Sequence, residues 1–184
     1  LFNTYIITSY DDCVYVIDQH AAHERINYER LIKSYNEEAH IAQPIITPFT
    51  ITVPSSVYNG DTVWKTTLER LGFEFEDFGN KTYKFRGIPS YMSVSEARSF
   101  VQTFLDELDV ECQLDLSKNG STLNRGVVDK LIMKSCKMSV KGGDKLSILE
   151  IKELIREMGK CINPFSCPHG RPTIIKISKY EIER

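Results

Sequence analysis

Two short β-prone runs open the chain, and a helical pattern follows them with no linker. Asn3 to Ser9 and Cys13 to Ile17 carry the runs, and Tyr10-Asp11-Asp12 between them predicts a hairpin turn. The second run ends at Asp18. From Gln19 the apolar spacing becomes helical: Ala22 and Ile26 share a face with Glu29, Tyr28, Leu31 and Ile32 lie beside it, and the helix should reach about Tyr35.

The middle of the chain reads as a second block. Gln43 to Pro48 holds two prolines and should be extended, and Phe49 to Val53 alternates like a strand. Pro54-Ser55-Ser56 should start one helix with Ser as N-cap and Val57, Val63, Trp64, Leu68 and Leu71 buried, ending at Gly72. Phe73 to Phe78 and Thr82 to Arg86 should pair across Gly79-Asn80, and Ser95 should cap a helix over Glu96 to Leu108. A third block follows. Leu123 to Val140 is a long helix burying Val127, Val128, Leu131 and Ile132, stopped by Gly142-Gly143. Ser147 caps Ile148 to Met158 with a Ser147-to-Glu150 capping-box spacing. Cys161 to Pro172 is irregular, with three prolines, and Thr173 to Ile177 is a last strand. The expected fold is α+β with a mixed or antiparallel sheet and two lobes: residues 1–42 with 120–184 in one, and residues 43–119 inserted as the other.

Composition narrows the function classes. The 184 residues are 41% hydrophobic and 26% charged, an ordinary globular balance, and no apolar run approaches the roughly 20 residues of a membrane span. Nothing at the amino end reads as a signal peptide, and Leu1 is not an initiator methionine, so a piece of a longer chain is expected. Net charge is −2, without the basic excess of a free-standing DNA binder. Five cysteines, an odd number, argue against a full disulfide framework and leave buried residues, metal ligands or reactive thiols.

Asp18 ends a strand, where a side chain can project into a cleft. His20 and Glu24 are four apart on the helix and share a face, so imidazole and carboxylate can bind one cation. The same trio also fits a solvated helix start with a stray histidine. Glu29, roughly 140° further round than Glu24, is poorly placed as a ligand; it can orient one by hydrogen bonding or pair with Arg25. Cys167-Pro168-His169 offers a thiolate and an imidazole on a proline-restricted loop, with Gly170 free to turn and Arg171 able to meet a phosphate or an acid. The bland reading is a proline-rich connector with a buried cysteine. Cys136, beside Lys137, reads on its own as a core cysteine. No acyl-transfer nucleophile–base set, phosphate-binding glycine loop or paired CxxC is present, and His23 and His40 read as surface residues.

These residues carry a resemblance. Asp18 to Glu29 matches DQHA(x)2E(x)4E, the endonuclease motif of the MutL family. Ser135-Cys136-Lys137 resembles that family's ACR/ACK element, and Cys167 to Pro172 matches CPHGRP without a change. The order and separations are those of the family, over residues 18 to 172. Gln43-Pro44-Ile45-Ile46-Thr47-Pro48 fits Qxx[IL]xP, which in this family resembles a sliding-clamp-binding peptide; Gln43 would be its polar hook and Ile46 its aliphatic anchor, stiffened by Pro48, and the bland alternative is an inter-lobe linker.

The resemblance implies the C-terminal domain of an endonuclease-bearing bacterial MutL. It implies a metal-dependent endodeoxyribonuclease that nicks duplex DNA in mismatch repair. One or two cations would be held by Asp18, His20, Glu24, Cys136, Cys167 and His169, with Asp18, His20 and Glu24 catalytic and Glu29, Lys137 and Arg171 supporting or meeting phosphate. Zinc would be structural or regulatory and manganese catalytic, with no nucleotide in this domain. Implied partners are a second copy of the chain, duplex DNA bound weakly, the sliding clamp, MutS and the protein's N-terminal ATPase, in a cytoplasmic, nucleoid-associated setting. The competing reading is a non-catalytic dimerisation module with a structural zinc; a thiol redox pair of Cys136 and Cys167 is a weaker one. The family's basic Phe-x-Arg element, expected after a segment like Ser178 to Glu183, is missing from the sequence. If it completes the site, the chain would be impaired.

Overall fold

The computed structural model describes residues 4–37, 42–59, 62–115, 125–139 and 146–184. Among them the protein is α+β, with seven helices and two three-stranded antiparallel sheets. By internal contacts the chain divides into two compact units, Leu1–Glu29 with Val140–Arg184, and Arg30–Ser139.

In the first unit, β1 (Tyr5–Tyr10) and β2 (Cys13–Asp18) form the expected hairpin. Its turn puts Asp11 at φ 47° and Asp12 at φ 55°. Positive φ at both central positions is what a two-residue turn needs to follow the strand twist, and aspartate tolerates it better than most side chains. β6 (Ile174–Ser178) pairs antiparallel with β2, giving the order β1-β2-β6. The row Ile6–Ile17–Ile174 lies on one face of this sheet. Ile6 and Ile17 are buried there with Ala22 and Ile26 of α1 (Gln19–Glu37) and Leu154 and Met158 of α6 (Ile148–Met158). Burying each of the isoleucine, leucine and methionine side chains is worth about 1.5–3 kcal/mol. This core holds the start of α1 and the end of α6 in place, and residues 159–173 connect α6 to β6. Ser147 caps α6 in a complete capping box with Glu150, as its spacing predicts. The short α7 (Lys179–Ile182) follows β6.

The second unit is built on β3 (Ala42–Thr52), β4 (Glu74–Gly79) and β5 (Thr82–Pro89), in the order β3-β5-β4. Phe49, Phe73, Phe75, Trp64, Tyr83, Phe85 and Phe100 stack or meet edge to face in its core. Here the sequence reading is corrected three times. The single helix expected after Pro54 is two, α2 (Ser55–Tyr58) and α3 (Val63–Arg70), and Pro54 occupies the N-cap position without a side-chain cap bond. α4 runs over Val94–Asp115, longer than expected, and its box is Ser93 with Glu96: each side chain bonds the other's backbone N–H, at 3.3 and 2.8 Å. Ser95 lacks an acid three residues on; Ser93 has one. The β4–β5 turn centres on Asn80-Lys81, both at positive φ. α5 (Arg125–Ser139) buries Val128, Leu131, Ile132 and Cys136. His40 and Gly142-Gly143 lie outside the described residues. No helix among the described residues is long and apolar enough to cross a membrane.

Candidate metal centre

Asp18 ends β2 and its carboxylate accepts the Ala21 N–H at 3.0 Å, which satisfies one of the donors left open at the start of α1. Asp18 is thus the local reason the helix begins where it does. One turn later, His20 and Glu24 share a face as predicted: His20 Nε2 lies 3.0 Å from Glu24 Oε1.

Glu24 has no exposed surface at all, an unusual situation for a carboxylate. It is compensated from the loop between α6 and β6. His169 Nδ1 lies 3.3 Å from Glu24 Oε2, and Arg171 donates one nitrogen to both carboxylate oxygens, at 2.9 and 3.0 Å. Cys167, 1% exposed, completes the group: ligand atoms of Glu24, Cys167 and His169 all lie within 4.8 Å of one another. Glu24 first, and Cys167 second, hold the Arg171 guanidinium above its already high pKa.

The loop geometry follows from its residues. The Cys167 carbonyl accepts the Gly170 N–H at 3.0 Å, and the Cys167 N–H donates to the Arg171 carbonyl at 2.7 Å. Pro168 presets the first central position of this turn. Gly170 takes φ 84°, where a side chain would be strained although nothing crowds the site. Ser166 bridges to Pro172, and the Thr173 carbonyl accepts the Asp18 N–H at 2.9 Å, which ties the loop's exit to the end of β2.

Two imidazole nitrogens test whether a cation fits. Nδ1 of His20 and Nε2 of His169 are buried and have no hydrogen-bond partner. A buried polar atom without a partner is costly, and a metal ion satisfies such an atom directly. A thiolate, an imidazole and a carboxylate in one small space are a borderline donor set that suits zinc. The residues fit a divalent cation.

The structure thus brings together Glu24, Cys167, His169, His20 and Arg171. Glu29 faces Arg25 at 3.5 Å, the pairing its spacing suggests, and also accepts the backbone N–H groups of Ile162 and Asn163. Sequence reasoning missed those loop partners and missed that Arg25 Nε donates to the Ser166 carbonyl at 2.6 Å. Only the Arg25–Glu29 spacing pointed that way. Cys136 is fully buried on α5, in the second unit. In that unit Tyr91 has its phenol pushed far up, by burial and then by the Cys136 thiol. Lys137 falls on α5 with its side chain outside the described residues. His23 is half-buried. No disulfide links the described cysteines.

Gln43, Ile46 and Pro48 are all exposed on β3, and Ile46 completely so. β3 pairs with β5 at Pro44 and again at Phe49, so residues 45–48 leave the ladder in an edge-strand bulge.

Residues 1–146 match a family described as MutL C terminal dimerisation domain. Proteins named DNA mismatch repair protein MutL align with nearly the whole chain. That of Agathobacter rectalis is 35% identical over 184 residues, covering 100% of this chain and 27% of its own length. That of Thermoanaerobacter pseudethanolicus is 37% identical over 186 residues, covering 100% and 28%. That of Clostridium perfringens is 34% identical over 182 residues, covering 98% and 26%. The chain therefore spans little more than a quarter of these curated relatives. On the family match over most of its length, the chain belongs to the MutL C-terminal dimerisation domain family.

Proposed function

We propose that this chain is a metal-dependent DNA-nicking domain that works in mismatch repair. The observation that carries the reading is the buried Glu24 carboxylate beside Cys167 and His169, with two buried imidazole nitrogens left without partners. Glu24, Cys167 and His169 would hold the cation. His20 would add its imidazole, while Asp18 and Cys136 take their roles from the resemblance alone. A bound cation supplies charge neutralisation at the scissile phosphate and activation of a water. Zinc suits the thiolate-bearing set, and manganese would suit a transient oxygen-rich position beside it.

The donors the chain itself contributes are ordered by its fold. Glu24 fixes both imidazoles through its two oxygens, and the Cys167–Arg171 turn presents thiol and imidazole from one rigid loop. Arg171, nearly half exposed, can move to a phosphate when a metal takes over its place on Glu24.

Homodimerisation is part of the same reading. On the sheet face turned away from the core, Ile7, Val16 and Ile175 form a cross-strand row, and Tyr5, Ile7 and Ile175 are exposed. An apolar face of this kind is a natural interface between copies. The lobes drawn from sequence, residues 1–42 with 120–184 for dimerisation and 43–119 for regulation, belong to the proposal. So does recruitment by the sliding clamp through Gln43, Ile46 and Pro48, supported by the exposed bulge. With a net charge of −2, the chain should hold DNA weakly alone and depend on the clamp, MutS and an ATPase domain.

The test is nicking of supercoiled DNA with manganese, with and without clamp. Asp18→Asn is the informative variant, because asparagine still caps α1. Wild-type nicking that rises with the clamp, and is abolished by Asp18→Asn at unchanged folding stability, supports the reading. Undiminished nicking by the variant removes Asp18 from the mechanism. The burial of Glu24 and Cys167 favours a second reading, a closed structural zinc in a non-catalytic dimerisation module. Four protein ligands with no exchangeable water would decide for it.

A further inference from the structure

α1 meets the metal loop at two places. Glu24 faces the ligands Cys167 and His169. One turn on, Arg25 and Glu29 grip the segment that leads into them. Glu29 Oε2 accepts the Ile162 N–H at 2.6 Å, and its Oε1 accepts the Asn163 N–H at 3.1 Å. Arg25 Nε donates to the Ser166 carbonyl at 2.6 Å, and its guanidinium also faces Glu29 at 3.5 Å. The Arg25 and Glu29 side chains are mostly covered, at 11% and 17% exposure, while Ile162 and Asn163, whose N–H groups Glu29 holds, lie at the surface. Inside the gripped segment, Asn163 bonds the Ser166 hydroxyl and the Phe165 N–H. The next residue is Cys167.

From this geometry we propose that Arg25 and Glu29 are positioning residues: together they clamp residues 162–166 to α1 and so set the place of Cys167 and His169 against Glu24. A carboxylate can take two consecutive N–H groups because it has two oxygens, and both are acceptors. An amide in its place keeps one acceptor and turns a donor toward the other N–H. The Arg25 fork can serve carbonyl and carboxylate at once; a lysine ammonium carries the charge without that planar geometry. One helix therefore supplies a ligand and the register of two others. The spacing between Glu24 and Glu29 places the second poorly as a ligand, and its oxygens hold the loop backbone instead. The inference rests on the metal-centre reading for its purpose and on the hydrogen bonds for its geometry.

The experiment uses the whole chain with Co2+ as probe, in wild type, Glu29→Gln and Arg25→Lys. Cobalt affinity and the near-ultraviolet thiolate-to-cobalt band per bound ion report the placement of Cys167. Removing groups that hold metal ligands through hydrogen bonds typically weakens binding by roughly 10–100-fold. Both variants should lose affinity in that range and lose part of the thiolate band, with an unchanged far-ultraviolet circular dichroism spectrum. A merely structural loss would lower melting temperature and leave the band of the folded, loaded protein intact. In parallel, site-resolved alkylation without metal should label the buried Cys167 several-fold faster in the variants, with Cys13 unchanged. Wild-type cobalt affinity and wild-type Cys167 labelling in both variants overturn the clamp. Should the wild type bind no cobalt, the metal centre fails separately, and Cys167 labelling alone decides the clamp. Hydrogen exchange in the wild type needs no variant: the Ile162 and Asn163 amides should be protected, and free exchange at both overturns the proposal.

Discussion

Glu24 brings one negative charge into a place with no solvent, and the groups around it are chosen accordingly. Two imidazoles can carry a proton or a metal; Arg171 carries its charge permanently. A metal bound there would therefore compete with Arg171 for the Glu24 carboxylate. Replacing Arg171 by alanine should cost about 1–2 kcal/mol without added metal, a charge-assisted bond discounted for the arginine's half-exposed side chain. Zinc should then raise the melting temperature of Arg171→Ala more than that of wild type, because it restores the missing cation. Thermal denaturation with and without zinc checks this, and equal shifts in the two proteins would contradict the competition. The histidine–carboxylate spacing was readable from residues 20 and 24 alone. The arginine that completes the charge was readable only as a residue able to meet an acid, because its partner lies 147 positions away.

Helix ends show where local chemistry is sufficient. The Ser147–Glu150 box was legible because every atom it uses lies within four residues, and the structure has it intact. Ser93–Glu96 has the same signature, yet Ser95 drew the prediction. The α2–α3 break carries an Asn59-Gly60 turn signal that the apolar spacing of Val57, Val63 and Trp64 concealed. The Ser147 hydroxyl, and then its backbone N–H, hold the Glu150 carboxyl below the usual carboxylate range. A depressed folded pKa stabilises the native state above the unfolded value, and that stabilisation is lost as pH falls through the folded one. Losing an N-cap serine costs about 1 kcal/mol, so Ser147→Ala should lower stability by that order at neutral pH, and the loss should shrink under acid conditions. Urea denaturation at several pH values measures it, together with Glu150 titration by NMR, which should move up toward the ordinary value. A pH-independent loss would mean that the carboxylate half of the box contributes nothing.

At the scale of the molecule, the first unit has one sheet face covered by α1 and α6 and one carrying Tyr5, Ile7 and Ile175 to the surface. If two copies meet there, charge on that face should separate them. Ile7→Asp with Ile175→Asp is expected to convert a dimer to a monomer in sedimentation equilibrium while cobalt binding persists, since both side chains lie on the sheet face turned away from the core. A dimer that survives both changes would move the interface elsewhere. What the sequence determined by itself is what short range decides: the alternation that makes β1 and β2, the turn that aspartates permit, the caps, the turn of Pro168 and Gly170, and the motifs that mark the family. Tertiary structure alone decided which of those local pieces meet. Glu24 finds Cys167 and His169, and Glu29 finds Ile162 and Asn163, across more than 130 residues. No local spacing encodes such a meeting. It depends on the shared core of Ile6, Ile17, Ile26, Leu154 and Met158, which holds the start of α1 and the end of α6 in one packed arrangement and thereby sets where the loop between α6 and β6 begins.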